Sequence, residues 1–357
     1  MVRYRLGKVD SAIMSKANQT TMYSEIHEFP RIITDAIAHA EQIDQVAAVL
    51  RQKDFSTVQV LGRGTSGNAS LFLKYLIEVK LGILVADASP STTSIYNSPI
   101  AMRNNLLIGM SQSGKSTDLV EFARTAIASG AYFVAMTNDA TSPLAQLANH
   151  HIELGVGPEL AVAATKSYSS ELLHAQMLVD AMLSHSAPAG LSEEAQRIIV
   201  DADERIAKAT ELHHATDIVV LGRGYSLANA LELSLKIKET SLINVPANST
   251  AEYLHGPIAA LKESSSVIFL APSGQEYEVI APTVERVRAI TKNIYWIGSS
   301  QYCADGETYL GGSSLDHESY SCLLDSTVLQ LLANQLAVAK GLNPDAPKGL
   351  NKVTLTR

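Results

Sequence analysis

The fold is decided by residues 107–116, whose sequence is LIGMSQSGKS. An apolar strand runs here into a turn rich in hydroxyl groups and glycine, and residues 117–128 continue with helical spacing of their apolar side chains. In a parallel α/β layer such a turn lies at the carboxyl end of a strand and the amino end of a helix, where free N–H groups and the helix dipole hold an anion. The stretch therefore predicts a phosphate-binding turn in an α/β fold.

The same residues also fit a nucleotide signature. Residues 109–116 match G-x-x-x-x-G-K-S, in which Lys115 would reach the β- and γ-phosphates and Ser116 would bind magnesium. A nucleotidase also needs an Asp at the end of a later strand. The nearest candidate, Asp139, is separated from the strand at 133–136 by a Thr-Asn pair, so the fit to a nucleotidase is partial.

A second glycine turn offers another alternative. The strand at 58–61 runs into residues 62–67, whose sequence GRGTSG matches G-x-G-x-x-G. Asp87 stands twenty residues beyond the last glycine, as a dinucleotide-binding fold requires. On spacing alone a Rossmann domain is therefore an alternative.

An internal duplication argues against both nucleotide folds. Residues 60–66 (VLGRGTS) recur as 220–226 (VLGRGYS), and the Ser-Gly pair at 113–114 recurs at 273–274, both with an offset of 160 residues. In the second copy Leu227 stands where the third glycine should be, and Gln-Glu replaces Lys-Ser. What repeats is therefore a strand, a glycine turn and a helix, the alternation that builds a parallel sheet.

Composition excludes several classes of partner. The chain has 357 residues, of which 46% are hydrophobic, so it can bury two ordinary cores or one large one. Its 36 acidic and 28 basic residues give a charge of −8, which offers no general attraction to nucleic acid or anionic membranes. Two cysteines make no disulfide framework, and no run reaches the roughly 18 apolar residues of a membrane span. We therefore expect a cytoplasmic protein without nucleic-acid or membrane partners.

Several motifs together resemble one known family. The motifs are GTS at 64–66, SQSG at 111–114, AVAATK at 161–166, LKIKE at 235–239, HGP at 255–257 and the tail with Lys352. In their order and spacings, from about residue 22 to the end, they are similar to the sugar isomerase (SIS) domain pair of glucosamine-6-phosphate synthase. Stand-alone glucosamine-6-phosphate deaminases of the SIS type look closer still, in the loop AVAATKSY, in AEYLHGP and in the Asn-Pro-Asp of the tail.

The resemblance implies an α/β fold of two tandem SIS domains, each a doubly wound, flavodoxin-like parallel sheet flanked by helices. Helical spacing between residues 31 and 51 and a break at 184–190 set the remaining boundaries. The expected segments are an N-terminal helical segment (1–50), SIS domain 1 (51–185), a linker helix (186–212), SIS domain 2 (213–342) and a C-terminal tail over the active site (343–357).

The resemblance also implies the residues that bind a sugar 6-phosphate. Short donors of the two turns surround the phosphate, which needs no metal, and Lys115 becomes a surface residue. The hydroxyl of Thr65 and the side chain of Val162 lie near the sugar. The expected binding residues are Thr65, Ser66, Ser111, Gln112, Ser113, Ser116, Val162 and Ala164, and no cofactor or metal is expected. Considered singly, Thr65 or Ser111 more often caps a helix.

Four further residues match catalytic groups of the family. Glu239 resembles the base that moves a proton between C1 and C2 of the open-chain sugar, and Lys236 would stabilise charge on the enediol oxygens. His255 would open the pyranose ring in the active site of the neighbouring subunit, which implies a homodimer. Lys352 matches a tail lysine that forms a Schiff base with the ketose. Without the family, the Lys-Glu pair would be interpreted as a solvated ion pair, and the other two residues as structural or solvated.

The helix that carries Glu239 is expected to begin after Ser226, and Ser226 is expected to be its N-cap. Leu227, Leu231 and Leu235 are expected to form its apolar stripe. The catalytic pair Lys236 and Glu239 then lies three residues apart on one side.

The expected function is an amino sugar 6-phosphate deaminase/isomerase, which converts glucosamine 6-phosphate to fructose 6-phosphate and ammonia. The sequence contains no glutaminase domain, which favours deamination over amination. Ala164, Leu254 and Leu242 replace a serine, a lysine and a tyrosine of the synthase, so the surroundings of the amino group differ. The alternatives are a fructosamine-6-phosphate deglycase or another SIS phosphosugar isomerase, a non-catalytic phosphosugar-binding protein, and a nucleotidase.

Overall fold

The structure, a computed structural model, describes residues 11–98, 100–215 and 217–352. The first ten residues of the expected N-terminal segment and the last five of the tail lie outside the described residues. The described chain forms two parallel five-stranded sheets, ordered β2-β1-β3-β4-β5 and β10-β9-β8-β6-β7. The strands are β1 (Thr57–Leu61), β2 (Val85–Asp87), β3 (Asn105–Ser111), β4 (Tyr132–Thr137), β5 (His150–Glu153), β6 (Ile218–Gly222), β7 (Ala247–Ser249), β8 (Ser266–Ala271), β9 (Asn293–Gly298) and β10 (Thr308–Gly311).

Both sheets have the same topology. Counted from its own first strand, each has the flavodoxin-like order 2-1-3-4-5, in which the chain changes direction across the sheet between the first and third strands. Every pair of hydrogen-bonded strands in the described chain is parallel. The predicted fold of two doubly wound α/β units is therefore confirmed, and the shared order agrees with the internal duplication.

Helices precede, flank and connect the sheets. They are α1 (Ser11–Ala17), α2 (Thr21–Ile26), α3 (Phe29–Ala38), α4 (Glu41–Arg51), α5 (Gly64–Leu81), α6 (Ser91–Ser94), α7 (Thr117–Ala128), α8 (Pro143–Leu147), α9 (Lys166–Met182), α10 (Leu191–Ile206), α11 (Ser226–Ser241), α12 (Thr250–Leu254), α13 (Gln275–Arg288) and α14 (Glu318–Ala339). Short 3₁₀ helices follow α10, α12 and β9. The segment 186–212, expected as a linker helix, contains α10.

The two halves share one core. Nearly every residue of α9 and α14 is buried, and a single hydrophobic cluster includes residues from both sheets and from the N-terminal helices. Helix α11 of the second half packs against α14 and also against α5 of the first half. Since apolar surface is continuous from one sheet to the other, the two halves pack as one body.

Helix α14 is long and apolar enough to cross a membrane by length and composition. However, 89% of its most apolar stretch is buried inside the protein. It begins at Glu318, and even polar residues of its first turns, such as Ser321 and Asp325, are buried within the core. Its hydropathy is therefore that of a central core helix.

Helix α11 corrects two details of the sequence analysis. Ser226 is its first helical residue and not its N-cap, and the Ser226 hydroxyl donates to Glu276 Oε2 at 2.7 Å. The predicted stripe of Leu227, Leu231 and Leu235 is only half-buried. Because α11 packs against both α14 and α5, polar residues such as Glu232 and Lys236 are buried as completely as its apolar residues Leu233 and Ile237.

Candidate active site

A cavity of about 360 Å³ lies where the carboxyl ends of β1 and β3 meet α11 and the tail. This is the switch point of the first sheet, where open α/β sheets bind their ligands. Its lining consists of Arg63, Gly64, Thr65, Ser66, Ser111, Gln112, Ser113, Ser116, Val162, Ala164, Lys236, Glu239, Leu350, Asn351 and Lys352. All the expected site residues except His255 therefore line one cavity.

The turn after β1 is built by two glycines. A Cβ on Gly62 would lie 2.6 Å from the carbonyl oxygen of Ser66, so only glycine allows α5 to start this close to the strand. Gly64 has a positive φ of +52°, and a Cβ placed on it would meet no atom within 4 Å. The backbone over Gly64 therefore faces open space in which an anion can sit.

The turn after β3 is folded by its own hydroxyl groups. Ser111 Oγ accepts a hydrogen bond from the Gly114 N–H at 3.1 Å, and Ser113 Oγ accepts one from the Lys115 N–H at 3.3 Å. Ser116 is the N-cap of α7, and its side chain makes no capping hydrogen bond. Both acceptor hydroxyls therefore keep their own hydrogen to donate to a ligand in the cavity.

Lys115 does not line the cavity. Its side chain is 52% exposed and pairs with Asp139, with Nζ and Oδ2 3.1 Å apart. The lysine and the aspartate that the nucleotide signature would use on phosphate and magnesium thus pair with each other. This arrangement agrees with the expected surface position of Lys115.

Helix α11 carries a buried lysine between two carboxylates. Lys236 is 1% exposed, and its Nζ lies 2.5 Å from Glu239 Oε2 and 3.5 Å from Glu232 Oε1. Burial would lower the pKa of Lys236, but the charges of Glu232 and Glu239 outweigh burial and raise it. The ammonium is therefore held in its charged form beside Glu239.

Glu232 connects the two halves at this point. It is fully buried and accepts hydrogen bonds from Thr65 Oγ1 at 3.0 Å and from Asn68 Nδ2 at 2.8 Å. Burial raises its pKa, partly offset by Lys236 and these two donors. Thr65 therefore does not cap a helix. Its hydroxyl group donates its hydrogen to Glu232 of α11 and has none left to donate to a ligand.

Sequence reasoning missed Glu232, although a signal was present. Glu232, Lys236 and Glu239 follow one another at spacings of four and three residues, which places all three on one face of a helix. The stripe of leucines had instead predicted that a different face of α11 is the buried one.

The tail is fixed against the first half. Lys352 Nζ donates to Glu159 Oε2 and to the Ala161 carbonyl, both at 2.7 Å. Glu159 also accepts N–H groups of Thr165 and Ser167 at the start of α9, at 3.0 and 2.9 Å. Burial raises the pKa of Glu159, but the Lys352 charge and these hydrogen bonds outweigh burial and lower it below its usual range. Glu159, also missed from the sequence, thus positions both the tail lysine and the loop 159–165.

Asp345 anchors the tail at a second point. Its carboxylate accepts the N–H groups of Thr21 at 2.8 Å and Met22 at 2.7 Å, at the start of α2, while its carbonyl accepts the Val162 N–H at 2.9 Å. Pro344 and Pro347 are buried on either side. The tail therefore folds over the cavity and holds one of its walls.

We expect Asp345→Ala to release this tail. Loss of two N–H contacts at the start of α2 should lower the free energy of unfolding by about 1 kcal/mol, and trypsin should cleave faster at Lys348 and Lys352. Chemical denaturation and limited proteolysis measure both effects. Asp305→Ala, at an exposed position, is the matched control. Equal cleavage rates in the two variants would show that Asp345 does not anchor the tail.

His255 is exposed in the turn after α12 and does not line this cavity. Its expected contribution concerns the neighbouring subunit and so stays a prediction.

The second sheet has an equivalent turn, but its anion position is filled. Gly224 has φ +54°, and a Cβ on it would lie 2.6 Å from Glu276 Oε1. Ser226, which matches Ser66 at the offset of 160, donates to the same carboxylate. Burial raises the pKa of Glu276 to about 8. Glu276 replaces Ser116 in the repeat. A carboxyl group of the chain itself therefore fills the turn at residues 222–226, which we call the second nest. The equivalent turn at residues 62–66, the first nest, stays open.

Comparison with known proteins agrees with this geometry. A family model described as the SIS domain matches residues 50–181 and 211–299. The chain belongs to the SIS domain family. The first nest and the second nest are therefore equivalent turns of two SIS domains in tandem, and the resemblance drawn from the motifs is confirmed.

Named relatives of this SIS chain include enzymes of sugar phosphates. A glutamine–fructose-6-phosphate aminotransferase (isomerizing) of Sulfolobus acidocaldarius is 32% identical over 339 residues, covering 93% of this chain and 56% of that protein. The chain thus spans a little over half the length of that relative. A solved structure of a candidate phosphosugar isomerase from Silicibacter pomeroyi DSS-3 is 31% identical, with a TM-score of 0.76, over 91% of this chain and 100% of that one.

Glucosamine-6-phosphate deaminase of Thermotoga maritima has a TM-score of 0.72 over 91% of this chain and 99% of its own. Its sequence identity is 23%, so the likeness is one of fold.

Proposed function

We propose that this protein is an SIS-type phosphosugar isomerase that deaminates an amino sugar 6-phosphate. The reaction converts glucosamine 6-phosphate and water to fructose 6-phosphate and ammonia. One observation carries the proposal: the hydroxyl-rich turn of the first half, Lys236 and Glu239 of α11, and Lys352 of the tail line a single cavity. An anion site and an acid–base pair within about 360 Å³ suit a six-carbon sugar phosphate.

The phosphate end is bound by hydroxyl and N–H donors of the two turns. Ser111, Ser113 and Ser116 line the cavity, and a Cβ on Gly64 would meet no atom within 4 Å. Uncharged donors at a helix N-terminus stabilise a dianion without a metal. The charged end of the ligand is thereby held at the first sheet, which leaves its C1–C2 end toward α11.

The proton shift is assigned to Glu239. In the open-chain aldose, Glu239 removes the proton from C2, the electron pair forms the C1–C2 double bond, and O1 gains a proton. Return of the proton to C1, with loss of a proton from nitrogen, gives a C2 imine. Water adds to this imine, and the C–N bond breaks to release ammonia and leave the C2 ketone. Lys236, held charged beside Glu239, stabilises the negative charge that develops on O1.

Two further roles belong to the same proposal. His255, exposed in its own chain, acts in the cavity of the partner subunit of a homodimer, where imidazole can open the pyranose ring. Lys352 supplies an amine beside the sugar once its Nζ gives up the hydrogen bond to Glu159. The motif likeness to stand-alone deaminases over residues 161–168, of which Val162 and Ala164 line the cavity, supports ammonia as the leaving amine.

The proposal is tested by measuring both products from glucosamine 6-phosphate. We expect ammonia and fructose 6-phosphate to form in equal amounts. Galactosamine 6-phosphate and a fructosamine 6-phosphate carrying an amino acid are assayed in parallel. Faster turnover of the amino-acid adduct would make the enzyme a deglycase, and binding of all three without turnover would make the protein a sensor.

A further inference from the structure

One buried carboxyl group lies behind the phosphate-binding turn and has no role in the chemistry above. Glu171, on α9, has no exposed surface and does not line the cavity. Its Oε1 lies 2.7 Å from the hydroxyl oxygen of Ser66, which does line the cavity. Its Oε2 is buried without a hydrogen-bond partner. Ser66 therefore separates a buried carboxyl from the position of the phosphate.

The hydroxyl of Ser66 has one hydrogen and two possible acceptors. When Glu171 is ionised, the hydrogen points at Glu171, and the oxygen turns its lone pairs toward the cavity. A phosphate dianion facing those lone pairs would be repelled. If Ser66 turned its hydrogen to the phosphate instead, the Glu171 carboxylate would be buried without any partner, which is strongly unfavourable.

A proton on Glu171 removes this conflict. The neutral acid can donate to Ser66 Oγ, and Ser66 can then donate its own hydrogen to the phosphate. The charged groups that face Glu171 are Glu159, from the loop before α9, and Glu232, from α11. Both carboxylates favour the neutral form of Glu171. The hydroxyl of Tyr168, on the same helix as Glu171, is the other titratable group nearby. We propose that Glu171 is a neutral carboxylic acid whenever the phosphate site is occupied, and so acts as a positioning residue that sets Ser66 as a donor.

This proposal rests on the proposed function, since it needs a phosphate ester at the turn. Burial raises the pKa of Glu171 to about 8 in the free protein. The protein should therefore take up only a small fraction of a proton per ligand bound near pH 7, and close to one proton per ligand above pH 9. Since a phosphate monoester is already a dianion above pH 7, its own titration does not interfere.

The test uses glucitol 6-phosphate, which has no carbonyl group and cannot react. Its binding is followed by titration calorimetry between pH 7 and 9.5, in buffers of different ionisation enthalpy, which gives the number of protons taken up. We expect affinity to fall about tenfold or more across this range in the natural protein. Glu171→Gln, whose amide can donate to Ser66 as the neutral acid does, should bind with no proton uptake and nearly constant affinity.

Two more variants separate a positioning role from a structural one. Ser66→Ala should bind more weakly and also lose the proton uptake. Glu276→Gln removes a buried, serine-bound carboxyl with a similar pKa at the second nest, and should leave the uptake unchanged. Binding without proton uptake in the natural protein, or uptake that persists in Glu171→Gln, would overturn this proposal alone. Absence of binding at every pH would overturn the proposed function and this proposal with it.

Discussion

Replacing Glu239 with Gln is expected to lower kcat on glucosamine 6-phosphate by about 10²–10⁴-fold, which is the usual effect of losing a general base. Gln has the same shape and still accepts a hydrogen bond from Lys236 Nζ, so the helix face should keep its geometry. The proposed phosphate contacts come from the other half of the chain and should stay intact. Substrate affinity should therefore change by no more than about threefold, and the loss should lie in kcat. Steady-state kinetics with an independent binding titration separate the two quantities.

Solvent exchange sharpens this test. In D₂O the natural enzyme should incorporate deuterium from the solvent into the carbon skeleton of the product, whereas Glu239→Gln should not. Glu278→Gln, at an exposed position of α13, is the matched control and should keep full activity. A Glu239→Gln variant with undiminished kcat would remove this carboxylate from the mechanism and leave Lys236 without the role assigned to it.

The sequence was sufficient for features that are local or repeated. The turn at 107–116 has a strand before it, a helix after it and hydroxyl groups between, all within one stretch. The offset of 160 residues revealed that the strand and turn occur twice, and the two sheets have the same strand order. Motif order along the chain then brought the binding residues together in one expected cavity, because parallel strands present their carboxyl ends at a common edge.

Features that depend on packing between distant elements could not be predicted in this way. Thr65 meets Glu232 across 167 residues, and Lys352 meets Glu159 across 193 residues. These contacts exist because α11 packs on α5 and the tail crosses the first half, which no periodicity in the sequence encodes. A buried glutamate on a helix such as α9 is also statistically uncommon, so pattern alone assigns it to the surface.

The filled nest of the second sheet illustrates the same limit. The sequence showed that Gln275 and Glu276 replace Lys115 and Ser116 in the repeat. It did not show that the Glu276 side chain fills the turn. The structure shows that the Glu276 carboxylate occupies the position open above Gly64 in the first nest. One substitution in a duplicated turn thus separates the half in which we propose that phosphate binds from the half whose helix carries the proposed acid and base.

Replacing Lys236 with Met is expected to produce the largest loss of stability. The substitution would leave Glu232 fully buried without its cation, and breaking one partner of a buried pair costs about 3–5 kcal/mol. Catalysis should fail as well, because the charge beside O1 is lost. Lys238→Met, an exposed position on the same helix, is the control and should cost little.

The dependence of this loss on pH distinguishes a charge effect from lost packing. Burial already raises the pKa of Glu232 above its unfolded value, and loss of the Lys236 charge should raise it further. A carboxyl group with a raised folded-state pKa contributes stability that is complete below the unfolded pKa and is lost as pH rises through the folded one. The stability gap between Lys236→Met and the natural protein should therefore be small near pH 4 and widen toward pH 8.

Adding Glu232→Gln to Lys236→Met should recover much of the lost stability above pH 7, because no buried charge then remains, while activity should stay low. The measurement is chemical denaturation of the single and double variants at several pH values. If the double variant were no more stable than Lys236→Met at pH 8, the cost would come from packing. The Lys236 charge would then not be what stabilises the buried Glu232, which accepts hydrogen bonds from Thr65 and Asn68 of the first half.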